Sequence, residues 1–231
     1  MKAAQQLRAR RSILKVGEGR GFVVQSGRPS VGNPGRYVIT AAHCLPKLPP
    51  PHPWLEERTF SNLLGALGET ATVCAECVFA DPIRDIAVLS SPDDQELSDE
   101  AESYEELIFA QSTALPIGDI PESSRSAGRQ RRATLIWLLH LDGEWLQCSA
   151  VTTPGSGLWL SNASKALVGG MSGSPCLDAN GVAVGVFSTS SNIAGPGDHT
   201  GGGPQARLTQ SLPGWLLRYL TYSQPRPRHR R

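Results

Sequence analysis

Short apolar runs recur along the chain between turns that are rich in glycine, proline, asparagine and aspartate. Runs of this length and spacing are typical of the strands of an all-β barrel or sandwich. Two dipeptides, Asp142-Gly143 and Asn180-Gly181, supply the positive φ that hairpin turns require, so each is expected to join neighbouring strands. The pattern predicts strands at residues 21–24, 36–40, 72–79, 85–89, 134–141, 144–151, 157–160, 174–177 and 182–188.

The pattern also predicts two helices and two irregular segments. Residues 98–111 are expected to form a short helix inserted between strands, with acidic residues in its first turn where the helix dipole favours them. Residues 212–220 are expected to form a terminal helix that packs its aromatic and leucine side chains onto the body. Residues 115–130 are expected to connect two halves of the chain, and the proline-rich residues 46–53 to form an extended surface loop.

Composition limits the class of protein. The 231 residues include 24 glycines and 18 prolines, and 39% are hydrophobic. The hydrophobic fraction is enough to bury a core. The glycine and proline content is higher than a helical bundle would carry, and the composition excludes coiled coil and collagen. No apolar run approaches the about 18–20 residues that cross a bilayer, and residues 1–24 lack a secretory signal. We therefore expect no membrane span and a cytoplasmic location.

Charge gives little indication of a partner. The net charge is +1, so no overall field favours nucleic acid, and no nucleic-acid partner is expected. Residues 93–106 hold eight acidic residues, whereas the first twenty residues, which include Arg20, and the tail 225–231 are basic. We expect these segments to be solvated surface. Docking through them, including nucleic-acid or membrane-surface binding by the arginine-rich ends, is the alternative.

The five cysteines are an odd number in a chain too long to depend on disulfide bonds. Reduced thiols are the simpler interpretation. Cys74 and Cys77 have the spacing of a zinc knuckle, but no second close pair of cysteine or histidine completes four ligands. No metal site is predicted.

Three residues that are far apart in the sequence, His43, Asp85 and Ser172, have side chains that can act together in nucleophilic catalysis. His43 ends an apolar strand through two small alanines, which leave its imidazole room at a cleft edge. Asp85 precedes a strand that is otherwise apolar, and Ser172 lies in a glycine-flanked turn. A serine hydroxyl becomes a good nucleophile when an imidazole takes its proton and a carboxylate orients that imidazole. The backbone N–H groups of Gly170 and Ser172 are expected to bind the resulting oxyanion.

At these residues the sequence resembles the trypsin/chymotrypsin-like serine peptidases, especially glutamyl endopeptidases and Htr-type proteases. The matching motifs are Thr40-Ala-Ala-His-Cys44, Asp85-Ile-Ala-Val-Leu89 and Gly170-Met-Ser-Gly-Ser-Pro175, in the order of that family. An α/β-hydrolase runs from serine to acid to histidine and is therefore not favoured. The resemblance implies a serine endopeptidase that forms an acyl-enzyme, with His43, Asp85 and Ser172 as catalytic residues and a polypeptide as substrate.

The fold that the resemblance implies is all-β, with two six-stranded antiparallel barrels and the active site between them. The expected division is a basic segment 1–15, a first barrel 16–114 with an acidic insertion 93–111, a connector 115–130, a second barrel with a C-terminal helix 131–222, and a basic tail 223–231. No metal or organic cofactor is needed for this chemistry, and the sequence does not indicate the oligomeric state.

Departures from the family pattern concern activation and specificity. Members activated by cleavage place an aspartate just before the serine, where this chain has Met171, so that activation is not expected. The resemblance implies a substrate-binding set of Ala166, Ser188, Thr189 and Ser190. Ala166 replaces the acidic residue of trypsin, which argues against cleavage after Lys or Arg and favours a small or apolar residue. The alternative is an inactive protease-like scaffold that binds a protein partner.

Overall fold

The computed structural model describes residues 1–29, 34–50, 57–120, 133–152, 157–188 and 207–212, without the side chains of 26–29, 34, 207, 208 and 210. Within them the strands form two closed six-stranded barrels, which confirms the predicted double-barrel class. The first barrel runs in the order β1-β2-β3-β6-β5-β4. Its strands are β1 Ile13–Val16, β2 Gly19–Pro29, β3 Pro34–Thr40, β4 Thr59–Ala66, β5 Val73–Asp81 and β6 Ile86–Ser90.

Every described strand pair is antiparallel, and the first barrel is closed by β1, which pairs with both β2 and β4. In its central register Phe22 lies opposite Ile39, and Val38 lies opposite Leu89. These four side chains are fully buried. Branched and aromatic residues pack well on a pleated surface, so this apolar interior explains why the strands form here.

The second barrel runs in the order β10-β11-β12-β9-β8-β7 and closes where Leu177 of its fourth strand in sequence pairs with Trp137 of its first. Its core includes Ile136, Leu138 and Phe187, each fully buried. Its strands are β7 Thr134–Leu139, β8 Trp145–Thr152, β9 Gly157–Ser161, β10 Pro175–Leu177, β11 Ala183–Val186 and β12 Arg207–Ser211.

Each predicted strand region contains a strand, and both hairpin turns are confirmed. Gly143 and Gly181 have φ of +85° and +78° in the turns that precede β8 and β11. Three strands were not predicted: β1, β4 and β12. β4 shows why, because Asn62 takes a positive φ and a register shift interrupts the pairing of this strand with β5. Such a bulge breaks the alternation by which strands are recognised.

The predicted insertion contains helix α2 (Ser98–Glu105), which continues as a π-helical turn at Glu106–Ala110. Of the connector 115–130, the structure describes residues 115–120, where Leu115 bridges to Val24 of the first barrel and Ile117 to Ala183 of the second. The predicted terminal helix 212–220, apart from Leu212, and the basic tail lie outside the described residues.

Residues 1–15, expected to be a basic segment apart from the barrels, contain helix α1 (Ala3–Arg10) and most of β1. The boundary at residue 16 therefore falls at the end of a barrel strand. Ile13 and Leu14 are buried, which draws the segment into the core. Helix α1 contacts the second barrel, because Gln5 donates a hydrogen bond to the carbonyl of Asn180 at 2.9 Å.

All five cysteines are free thiols, and four of them are buried: Cys44, Cys77, Cys148 and Cys176. Among the described residues, neither helix has the length and apolar character needed to traverse a bilayer.

Candidate active site

His43 is positioned by the end of strand β3. After Thr40 the chain passes through Ala41 and enters a 3-10 turn, Ala42–Cys44. Ala41 and Ala42 are buried, and the small size of their side chains lets the turn sit directly against the core. The imidazole of His43 is left about one third exposed, at 36%.

Asp85 stands immediately before β6 and adopts a φ of +52°, a left-handed conformation that few non-glycine residues take. A preceding turn supports it: Asp81 Oδ1 accepts hydrogen bonds from the backbone N–H groups of Ile83 and Arg84 at 3.0 and 2.9 Å. Backbone strain of this kind is concentrated at functional sites, where surrounding contacts maintain it.

The structure brings His43 and Asp85 together. Nδ1 of His43 lies 2.7 Å from Oδ2 of Asp85, and the backbone N–H of His43 donates to Oδ1 at 2.9 Å. The carboxylate thus holds both the ring and the backbone of the histidine. With Nδ1 engaged, the other ring nitrogen, Nε2, faces away from Asp85.

Ser188, which follows β11, supplies a third hydrogen bond to the carboxylate. Its hydroxyl donates to Oδ2 of Asp85 at 2.6 Å, and its backbone N–H donates to Oγ1 of Thr209 at 3.0 Å. Burial of Asp85 by itself opposes ionisation, but the hydrogen bonds from His43 and Ser188 outweigh it and hold the pKa of Asp85 below its ordinary value. Asp85 is therefore an anion at neutral pH, as the partner of an imidazole must be.

Ser172 lies in a tight turn against strand β2. Its carbonyl accepts a hydrogen bond from the backbone N–H of Arg20 at 2.7 Å. The thiol of Cys44, the residue after His43, lies 3.7 Å from the same carbonyl oxygen. The serine and the histidine therefore belong to chain segments in direct contact.

Gly173 explains how this turn fits. It has a φ of +82°, and a Cβ placed on it would lie 1.8 Å from the carbonyl oxygen of Arg20 and 2.6 Å from Oγ1 of Thr40. No side chain can occupy that space. The Thr40 hydroxyl donates to the same Arg20 carbonyl at 2.7 Å. The glycine after Ser172 and the threonine that begins the histidine motif thus pack around one carbonyl of β2.

The remainder of the turn carries the expected oxyanion donors. Gly170 has a φ of +84°, and Met171 is fully buried in the core of the second barrel. The turn is closed by backbone bonds from Ser174 to Met171 at 3.1 Å and from Gly173 to Phe187 at 2.7 Å. These bonds hold the segment that contains the N–H groups of Gly170 and Ser172.

A cavity of about 660 Å³ opens beside His43 on the side of the first barrel. Polar residues in its lining include Lys15, Glu18, Asn62 and Glu69. Lys15 and Asn62 lie within β1 and β4, two of the strands that were not predicted, and Glu18 and Glu69 lie in the turns that follow those strands, so no sequence pattern marked them as site residues.

The residues expected to bind substrate are only partly described. Ser188 contacts Asp85, and Ala166 is exposed in the loop before Ser172. Thr189 and Ser190 lie outside the described residues. Phe187 is fully buried and exchanges backbone bonds with Gly173 and Ser174.

Comparison with known proteins concerns the family and the fold. A family model described as a trypsin-like peptidase domain matches residues 19–186. The structure resembles that of the Rv3671c protease in its inactive form, with a TM-score of 0.52 and 16% identity over 94% of this chain and 91% of that one. A serine-to-alanine mutant of Rv3671c from M. tuberculosis H37Rv, also inactive, gives 0.52 and 15% over 96% and 92%. No curated protein matches the sequence significantly.

Proposed function

The chain belongs to the trypsin-like peptidase domain family and is a serine peptidase, and from this premise we propose that His43, Asp85 and Ser172 form its catalytic triad. The observation that carries the proposal is the contact of 2.7 Å between Nδ1 of His43 and Oδ2 of Asp85. The adjacent residue, Cys44, lies against the carbonyl of Ser172, which supports the placement of the serine at the same cleft.

In this mechanism Ser172 Oγ attacks the carbonyl carbon of a peptide bond while Nε2 of His43 takes its proton. Asp85 orients the ring and stabilises the imidazolium that forms. The N–H groups of Gly170 and Ser172 bind the oxyanion of the tetrahedral intermediate. His43 then gives the proton to the departing amine. A water molecule activated by the same nitrogen hydrolyses the acyl-enzyme.

A fluorophosphonate probe tests the assignment, because it labels a serine only where a base activates it. Wild-type protein should be labelled at Ser172, and Ser172→Ala should abolish labelling and reduce peptide hydrolysis by a factor on the order of 10⁵–10⁶. Asp85→Asn should reduce hydrolysis by about 10⁴. Ser174→Ala is the matched control. Ser174 is fully buried and lies two residues from Ser172, so this variant should still be labelled at Ser172 and should still hydrolyse peptides.

Labelling that persists in Ser172→Ala but disappears in Ser174→Ala would assign the nucleophile to Ser174 and contradict the proposal. A folded wild-type protein that neither reacts with the probe nor cleaves any peptide would instead support the inactive scaffold that binds a protein partner.

We propose that the substrate extends along the chain that follows β11 and places a small or apolar side chain in the specificity pocket. Ala166 provides no acidic group to pair with Lys or Arg, and Phe187, which is fully buried, provides no basic group to pair with Glu. An extended peptide added to a strand edge is a common recognition mode. Peptides that differ only at the cleaved position should give higher kcat/KM with Ala, Val or Leu than with Lys, Arg or Glu.

The free cysteines support a reducing location such as the cytoplasm.

A further inference from the structure

A second cavity, of about 410 Å³, lies away from the imidazole of His43 and between helix α1, strand β2 and the β7–β8 turn. Its size falls within the range of about 300–1,000 Å³ that is common for small-ligand pockets. We call it the arginine cavity, because Arg10, Arg11 and Arg20 all line it. His140 and Gln111 add further polar groups to the lining.

Arg20 is a buried cation, only 6% exposed. Its guanidinium donates to the backbone carbonyls of Leu139 and His140. These are neutral acceptors, and within the part of the chain that the structure describes no carboxylate pairs with the guanidinium. Burial and the nearby positive charge of Arg10 lower the pKa of Arg20. A buried charge normally requires an opposite charge, so the site lacks its counter-ion.

The surroundings of Arg20 add positive charge instead of balancing it. Arg10 reaches across the cavity and donates to the carbonyl of Gly143 at 3.3 Å. None of the described residues that line the cavity is acidic. The acidic residues of the β7–β8 turn, Asp142 and Glu144, form ion pairs with Lys165, and Asp142 also lies 2.9 Å from Nδ1 of His140; neither carboxylate lines the cavity. The cavity therefore concentrates guanidinium groups for which the described residues of its lining supply no anion.

The walls of the arginine cavity also touch the turn that carries the nucleophile. The backbone N–H of Arg20 donates to the carbonyl of Ser172 at 2.7 Å. On the opposite side, Leu141 of the β7–β8 turn lies against Gly170, so that a Cβ at Gly170 would be 3.7 Å from its side chain. An anion that held the guanidinium and this turn in place would restrain both ends of the segment from Gly170 to Ser172.

We propose that the arginine cavity binds a small oxyanion, a phosphate or carboxylate group, and that the bound anion increases the activity of the catalytic site. Guanidinium groups bind both kinds of oxyanion through paired, charge-assisted hydrogen bonds. The effect on activity rests on the function proposed above. The binding step does not, because it depends only on the cavity.

Binding is tested by titrating the full chain with inorganic phosphate and, separately, with succinate, at constant ionic strength so that general screening does not change. The readouts are calorimetry and the midpoint of thermal unfolding. We expect saturable binding of at least one of the two anions. The double variant Arg10→Gln/Arg11→Gln should weaken it by about tenfold or more, because each charge-assisted bond contributes on that scale. These two side chains are exposed, so the variant is expected to fold.

Arg8→Gln is the matched control. Arg8 is on the same helix, but it donates to the carbonyl of Ala114 and does not line the cavity. This variant should bind the anion as the wild type does. Equal binding by wild type and the double variant, or no saturable binding of either anion, would overturn the site.

The effect on catalysis is measured as the rate of fluorophosphonate labelling and of peptide hydrolysis with and without saturating anion. We expect an increase of about fivefold or more in the wild type, the lower end of typical coupling between sites, and a smaller one in the double variant. Anion binding without any change in these rates would overturn the coupling. A protein that binds the anion but lacks peptidase activity altogether would contradict the proposed function and leave the anion site supported.

Discussion

Replacement of Gly173 by alanine should both destabilise the protein and impair the turn proposed to carry the nucleophile. Gly173 has a φ of +82°, and the added Cβ would meet the Arg20 carbonyl oxygen at 1.8 Å, far inside van der Waals contact. An L-residue in the left-handed region costs roughly 1–2 kcal/mol. Overpacking a filled site costs a further ~1–3 kcal/mol. The expected loss in the free energy of unfolding is therefore about 2–5 kcal/mol.

Gly68 provides a control in the same chain. It has a φ of +90°, but a Cβ at this position would have nothing within 4 Å. Gly68→Ala should therefore cost only the backbone contribution of about 1–2 kcal/mol. The difference between the two variants isolates the clash with Arg20 and Thr40.

Urea unfolding of both variants measures these losses. Peptide hydrolysis, assayed on protein that is still folded, measures the effect on the catalytic turn. We expect Gly173→Ala to lose activity by at least about tenfold, because relief of the clash must move either Ser172 or the β2 carbonyl. Equal stability losses in the two variants, or full activity in Gly173→Ala, would refute the packing argument.

Three further predictions concern the acid, its hydrogen bonds and the adjacent thiol. Ser188→Ala removes a hydrogen bond to the Asp85 carboxylate that contributes about 1.5–3 kcal/mol. The acidic limb of the pH–rate profile should therefore move to higher pH, and an unchanged limb would contradict this prediction. Because the pKa of Asp85 is lowered by folding, its ionisation stabilises the protein above the ordinary aspartate pKa, and this contribution is lost as pH falls through the lowered pKa. Acid unfolding curves should therefore show a smaller loss of stability over that range in Asp85→Asn, and identical curves would exclude the linkage. Burial raises the pKa of Cys44 to about 11, so iodoacetamide at pH 8 should modify the half-buried Cys74 well before Cys44. Peptide mapping measures the order of modification, and modification of Cys44 first would contradict the prediction.

The features that could be predicted from the sequence are those that depend on a few consecutive residues. Hairpin turns depend on a dipeptide such as Asn180-Gly181, and the candidate triad lies in motifs a few residues long. Strand β4 was missed because its bulge at Asn62 breaks the alternating pattern. The left-handed conformation of Asp85 was also not foreseen, since it is maintained by contacts with His43, which is distant in sequence.

The charge environment of Arg20 could not be predicted from the sequence for a related reason. Within the sequence it is one arginine among several near the N-terminus, and it was counted as part of a solvated basic region. Its burial follows from the pairing of β1 with β2 and from the β7–β8 turn, whose carbonyls belong to the other barrel. The alternation of apolar and polar residues predicts strands, but it does not predict which distant backbone groups a side chain will contact.

The backbone of Arg20 links the stability of the fold to the site. Its N–H binds the carbonyl of Ser172, its carbonyl accepts the hydroxyl of Thr40, and Gly173 packs against that same carbonyl. The motifs that contain His43 and Ser172 therefore meet at one residue of β2. A shift of this strand must move both motifs, so substitutions in β2 that do not touch substrate should still lower activity in proportion to the movement they cause. The side chain of the same residue lines the arginine cavity, so an anion bound there would contact a residue whose backbone is hydrogen-bonded to the proposed catalytic turn.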